Sequence, residues 1–122
     1  MNLEVIEERL SAQCVMLKPK GRLNAVTAPE FKAQLKRLVE EGYVQLVVDM
    51  ADVPFVDSSG LAALVSGLKA TRQAGGTLRL AGLRDDVRTV FRLTLLERVF
   101  EFYADVGSAL SAFSQGHREG IG

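Results

Sequence analysis

Val53-Pro54-Phe55-Val56-Asp57-Ser58-Ser59-Gly60 runs directly into Leu61-Ala62-Ala63-Leu64-Val65. The stretch reads as the end of a strand, a sharp polar turn and the first turns of a helix. Asp, Ser and Gly stand where a helix begins, with apolar residues on both sides. A hydroxyl at that position lies at the positive end of a helix dipole, which favours a phosphate. The same residues also form an ordinary helix cap. Both readings stay open on the residues alone.

Working outward, Leu46-Val47-Val48-Asp49-Met50 just upstream is a short apolar run, the pattern of a strand covered on both faces. Downstream, Leu61, Leu64, Val65 and Leu68 repeat at helical spacing until Gly75-Gly76 stops the helix. Thr77-Leu78-Arg79-Leu80 follows as a strand, and Asp85-Asp86 opens a helix carrying Val87, Val90 and Phe91. Val99-Phe100-Glu101-Phe102 reads as the last strand, and Asp105 caps a last helix striped by Val106, Ala109, Leu110 and Phe113.

Before the opening stretch, Leu3 to Arg9 and Cys14 to Lys18 are two strands joined so closely that they pair antiparallel. A loop, Gly21-Arg22-Leu23-Asn24-Ala25, leads into a helix striped by Phe31, Leu35, Leu38 and Val39 and ended by Gly42. Thr27 and Glu30 have capping-box spacing, Pro29 sits in the first turn, and Val26 with Phe31 has the spacing of a hydrophobic staple. From residue 44 strand and helix alternate, and right-handed crossovers make those strands parallel. The expected architecture is α/β: a mixed sheet of about five strands with about four packed helices, in one domain.

Composition narrows the function. The 122 residues are 48% hydrophobic, and 15 Lys and Arg balance 15 Asp and Glu. A neutral chain lacks the basic excess that non-specific nucleic-acid binding requires. No apolar run approaches the ~20 residues of a membrane span, and the acidic start, Met1 to Glu8, is unlike a signal peptide. The single cysteine, Cys14, reads as a small core residue, and no Cys/His cluster suggests a metal. A cytoplasmic protein with no metal and no cofactor is expected. No clear apolar seam for a dimer stands out, so the oligomeric state stays open.

Catalysis by Ser58 would need a base within hydrogen-bond reach. The one histidine, His117, lies in the Gly-rich tail, and neither a Gly-x-Ser-x-Gly elbow nor a Walker loop is present. The chain is therefore expected not to be an enzyme. Instead the turn 57–60 can be read as a site that others act on: a phosphate on Ser58 would add nearly two negative charges beside Asp57, with Gly60 leaving the surface next to the serines open.

The run Leu46 to Leu61, an apolar strand, a short acidic connection and then Asp-Ser-Ser-Gly-Leu at a helix start, resembles the signature of the STAS domain. More narrowly it resembles the bacterial anti-sigma factor antagonists. The Gly21-Arg22-Leu23-Asn24 loop, the Gly75-Gly76 stop before a Leu-x-Leu strand and the late Phe-rich strand extend the resemblance over most of the chain. It implies a STAS domain over 1–115 followed by a flexible tail over 116–122. It also implies a non-enzymatic, phosphorylation-switched binding module. The unphosphorylated form would bind an anti-sigma factor that is also a serine kinase, and so free the sigma factor. That kinase would use ATP to phosphorylate Ser58 and lose affinity, and a PP2C-type phosphatase would restore binding. By the same resemblance Asp57, Ser58, Ser59 and Gly60 form the docking turn, with Arg22 and Asn24 in the adjoining loop. The family often has Gly-Glu-Leu-Asp in that loop. Here Arg22 and Asn24 replace both acids, which implies a partner of different charge. The alternative is a STAS scaffold or sensor subunit of a larger regulatory assembly, with no switch at Ser58.

Overall fold

The computed structural model describes residues 3–121, with side chains as far as Phe113. The chain starts as a hairpin, β1 (Glu4–Arg9) antiparallel to β2 (Cys14–Lys20), with Ile6 opposite Lys18. Three crossovers follow: α1 (Ala28–Glu40) to β3 (Gln45–Asp49), α2 (Ser58–Gln73) to β4 (Thr77–Ala81), and α3 (Asp85–Leu93) to β5 (Glu101–Tyr103). The strands lie in chain order β1-β2-β3-β4-β5, all parallel after the first. The five-stranded mixed sheet expected from the sequence is the one observed.

Each crossover steps one strand further in the same direction, so a constant hand puts α1, α2 and α3 on one face. That face holds the main core. Leu46 and Val48 of β3 and Leu78 and Leu80 of β4 meet Phe31, Leu35 and Leu38 of α1, Leu61, Leu64 and Leu68 of α2, and Phe91 of α3. Side chains alternate along a strand, so Val47 and Ala81 point to the other face. There they meet Ala109 of α4 (Val106–Ile121). Burial on both faces explains why β3 reads as an unbroken apolar run.

Asp105 caps α4 as its position suggested, its carboxylate accepting from the Ser108 amide at 2.8 Å. The Ser108 hydrogen bonds hold that carboxyl below the usual carboxylate range. The backbone of α4 continues as helix to Ile121. The tail expected over 116–122, with His117, has its side chains outside the described residues. Cys14 is buried, and burial pushes its thiol pKa up despite the nearby Arg79 charge, which fits an unreactive core residue.

Three local expectations change. Thr27 does not close a capping box: it has helical backbone angles and makes no side-chain cap. Its hydroxyl donates instead to the Arg22 carbonyl at 2.7 Å and accepts from the Asn24 amide at 3.0 Å. Val26 is 72% exposed, so no staple forms with Phe31. Asn24 explains both, because its Oδ1 takes the Val26 and Thr27 amides at 3.0 and 3.2 Å and starts the turn earlier. The last strand also begins later than expected. A 3₁₀ turn at Leu96–Arg98 uses up the chain after α3, and Phe100 packs edge-on against Phe91 before β5 starts.

Arg79 is an unanticipated core feature. It projects from the middle of the sheet under α4 and is 8% exposed. Its Nε donates to Glu101 Oε1 at 3.1 Å, and its guanidinium lies 3.9 Å from the Phe113 ring centroid. Pairing and stacking offset the desolvation of that charge.

At the α2–β4 corner, Gly75 takes φ +95 and Gly76 lies against the preceding loop. A Cβ at Gly76 would stand 2.0 Å from the Val44 carbonyl oxygen, the acceptor of the Thr77 amide. Backbone cannot yield there without parting β3 from β4. Gly76→Ala is expected to lower unfolding free energy by about 2 kcal/mol or more, measured as a drop in the urea midpoint at unchanged slope.

Candidate functional site

β2 and β3 are parallel neighbours, so the loops that leave their carboxyl ends emerge on the same edge of the sheet, the edge where open α/β folds place their sites. One loop is 21–27 and the other 50–57. They run side by side through an isolated parallel bridge between Leu23 and Val56. The Gly21 amide donates to Asp52 O at 3.0 Å, Leu23 N to Phe55 O at 2.9 Å, and Asp57 N to Leu23 O at 3.2 Å. This ladder brings Arg22 and Asn24 beside Asp57, Ser58, Ser59 and Gly60, residues more than thirty positions away in sequence.

Asp57 is the N-cap of α2, extended at φ −106, ψ −171. Its Oδ1 accepts from the Ser59 amide at 2.9 Å and the Gly60 amide at 3.1 Å. The first intrahelical bond runs from Leu61 N to Asp57 O at 2.9 Å. The carboxylate thus takes two of the amides that a helix leaves unpaired at its start and neutralises the positive dipole end. Ser58 follows it as the first helical residue and is exposed, Ser59 is half-buried and Gly60 is buried.

Gly60 has a different job from the one its place beside the serines suggested. Its missing Cβ faces inward: one built there would meet Leu23 O at 2.4 Å, with Leu23 Cγ and Val56 Cγ1 each at 3.0 Å. Glycine lets the start of α2 seat against the 21–27 loop, and does not open the outer surface.

The adjoining loop divides its work. Asn24 spends its side-chain oxygen on its own turn, as described above. Arg22 is exposed, and its guanidinium lies over the Phe55 ring at 4.7 Å from the centroid. This stack holds a cation and an aromatic ring on the loops that adjoin the turn. Phe55, Leu23 and Val56 complete the site although the residues had not singled them out. The signal available in the sequence was Leu23 alone between polar neighbours, and the apolar Val53-Pro54-Phe55-Val56 beside the polar turn.

Among the described residues no group of three or more His, Cys, Asp or Glu is placed to hold a metal ion. No helix among them is long and apolar enough to cross a membrane. What the site offers is an exposed hydroxyl on a helix start capped by one fixed carboxylate, with a stacked cation on the adjoining loop.

Comparison with known proteins agrees with this geometry. The family model described as the STAS domain matches residues 5–109. An anti-sigma-B factor antagonist of Listeria monocytogenes is 32% identical over 102 residues, covering 83% of this chain and 89% of the relative. One from Staphylococcus aureus is 31% identical over 97 residues, covering 80% and 89%. Among solved structures, an anti-sigma factor antagonist from Mycobacterium paratuberculosis superposes with a TM-score of 0.80 at 24% identity, covering 90% of this chain and 92% of that one. The unphosphorylated anti-sigma factor antagonist SpoIIAA gives 0.81 at 18% identity, covering 92% and 97%. At these identities the two structures speak for the fold.

Substitutions at two positions separate the structural parts of the site. Asp57→Ala removes both cap bonds and is expected to destabilise by about 1 kcal/mol, whereas Asp57→Asn keeps an oxygen acceptor and costs less; thermal unfolding of the pair checks this. Gly60→Ala is expected to cost about 2 kcal/mol or more and to loosen the two loops from each other, read as lost amide-exchange protection at Leu23 and Asp57.

Proposed function

The chain belongs to the STAS domain family and, at moderate identity, to its anti-sigma factor antagonists; from that premise we propose that it is a binding module switched by phosphorylation at Ser58. The unphosphorylated form binds an anti-sigma factor that is also a serine kinase, and binding frees the sigma factor. The kinase transfers the γ-phosphoryl group of ATP to Ser58 Oγ, the hydroxyl proton leaving as the new O–P bond forms and ADP departs. A PP2C-type phosphatase hydrolyses the ester with water and restores the hydroxyl. The cycle runs in the cytoplasm.

The observation that carries this reading is the exposed Ser58 next to a carboxylate that already occupies the helix end. A phosphate there finds the Ser59 and Gly60 amides engaged by Asp57. It adds nearly two negative charges beside an existing one, with the helix-end amides no longer free to neutralise them. The backbone is held by the cap and the Leu23 ladder, so the change falls on the surface that a partner meets and leaves the fold in place. A related fold supports the idea of two states: SpoIIAA has been solved in a phosphorylated form as well as an unphosphorylated one.

Arg22 and Asn24 give the partner contact its particular charge. A cation at the lip favours an acidic or hydrogen-bond-accepting surface opposite it. Ser59 and Gly60 shape the turn and do not receive the phosphate.

The test is phosphorylation with a cognate kinase and ATP, followed by mass-spectrometric location of the phosphate. The phosphate is expected on Ser58, and Ser58→Ala is expected to accept none while still binding the kinase. Ser58→Asp is expected to weaken that binding by about tenfold, equivalent to ~1.4 kcal/mol. Phosphate at another residue, or binding indifferent to both substitutions, would rule out the switch and leave a scaffold or sensor role.

A further inference from the structure

α2 buries Leu61, Leu64 and Leu68 and turns its outer side into the floor of an open groove of about 650 Å³. The groove follows α2 from Ser58 to Gln73. Lys36 of α1 stands on one wall, and Thr94 and Leu96, just past α3, stand on the other. Its floor is largely apolar, through residues such as Ala62 and Val65. Among the described residues the charged ones lining it are Lys36 and Lys69, with no carboxylate beside them.

The chain next to the far wall has a second feature, in two residues that border the groove lining without belonging to it. Leu93 and Leu95 flank Thr94 and are 78% and 69% exposed. Leu95 has φ 64 and ψ 8, the left-handed region, and is the one non-glycine residue with positive φ among the described residues. It stands one position past the C-cap of α3, where a glycine would take that conformation without strain. A leucine there is unfavourable for the backbone and also leaves an apolar side chain in water. Folding alone would be better served by glycine. Strain kept at such a point indicates a use outside folding.

We propose that this groove docks an acidic amphipathic helix of the partner protein. The helix would lay its apolar stripe on the α2 floor and against Leu93 and Leu95, and its carboxylates would pair with Lys36 and Lys69. Apolar floor, flanking cations and absent carboxylates are complementary to such a segment, and helix-in-groove recognition reads apolar anchors at i, i+3, i+4 and i+7. On the reading of Ser58 given above, the groove also explains how the switch works. Ser58 lines it, so a phosphate introduces a dianion among the partner's own carboxylates and draws the lysines away from them.

The probe is a fluorescein-labelled synthetic helix with Leu at i, i+3, i+4 and i+7 and Glu on its flanks, compared with the same stripe flanked by Lys. Anisotropy is expected to show the Glu peptide binding about tenfold more tightly than the Lys peptide, with amide shifts at Lys36, Val65, Lys69 and Thr94 to Leu96. Lys36→Glu with Lys69→Glu is expected to reverse the preference. Leu95→Gly relieves the strain and removes the anchor together. Its melting temperature should stay or rise while peptide affinity falls about tenfold. Unchanged affinity in Leu95→Gly, equal binding of both peptides, or shifts elsewhere would overturn the assignment. So would sedimentation of the free chain as a dimer that Leu95→Asp dissociates, since the leucines would then cover a second copy. Peptide docking in a protein that no kinase modifies at Ser58 would leave the groove standing without the switch. Release of the intact kinase on Ser58 phosphorylation, with binding indifferent to the lysine and leucine variants, would leave the switch without the groove.

Discussion

The carbonyl oxygen of Leu23 accepts the Asp57 amide at 3.2 Å and lies where a side chain at position 60 would put its Cβ at 2.4 Å. Much of the site depends on that one point of contact. It joins the loop after β2 to the loop after β3, and it requires glycine in the first turn of α2. It also holds Asp57 in the extended conformation from which its carboxylate can reach back to Ser59 and Gly60. Hydrogen bonds between neighbouring loops are individually modest, near 1 kcal/mol net. Here they act together with a close backbone contact, so the loops are positioned by packing as much as by polar attraction.

That contact exists because of the sheet. Parallel order places the carboxyl ends of β2 and β3 next to each other, and the constant hand of the crossovers sends α1 and α2 to the same face. The two helices pack together, and their amino-terminal ends lie with the loops on the edge of the sheet. The opposite face is covered by α4 over β3, β4 and β5, where the buried Arg79 is stacked on Phe113. The edge that carries Ser58 and the α4 face with its buried charge are therefore separate parts of the molecule.

At Asp57-Ser58-Ser59-Gly60 the capping of the helix and the exposure of Ser58 are parts of one arrangement. The cap fixes the helix start and so fixes where the Ser58 hydroxyl is presented. By occupying the free amides it also removes the groups that would otherwise absorb a phosphate's charge. A modification at such a place would change the surface potential with little effect on the fold.

Element type and order were legible in the sequence because they follow from local periodicity. The unbroken Leu46-Val47-Val48 run required cover on both faces, and the stripes of α1 and α2 required one buried side each. Asp57 and Asp105 were legible as caps for the same local reason. The sequence alone also determined that Ser58 opens a helix. It did not determine that Gly60 faces inward, that Asn24 takes the cap from Thr27, or that Phe55 carries Arg22. Nor did it place Leu93 and Leu95 beside a groove lined by Lys36 and Lys69. Each of these depends on groups brought together from distant positions, or on a backbone angle such as that of Leu95 that composition does not encode. Periodicity specifies which side of an element is apolar; only closure of the chain decides what that side meets, because pairing of distant segments is set by sheet order and packing.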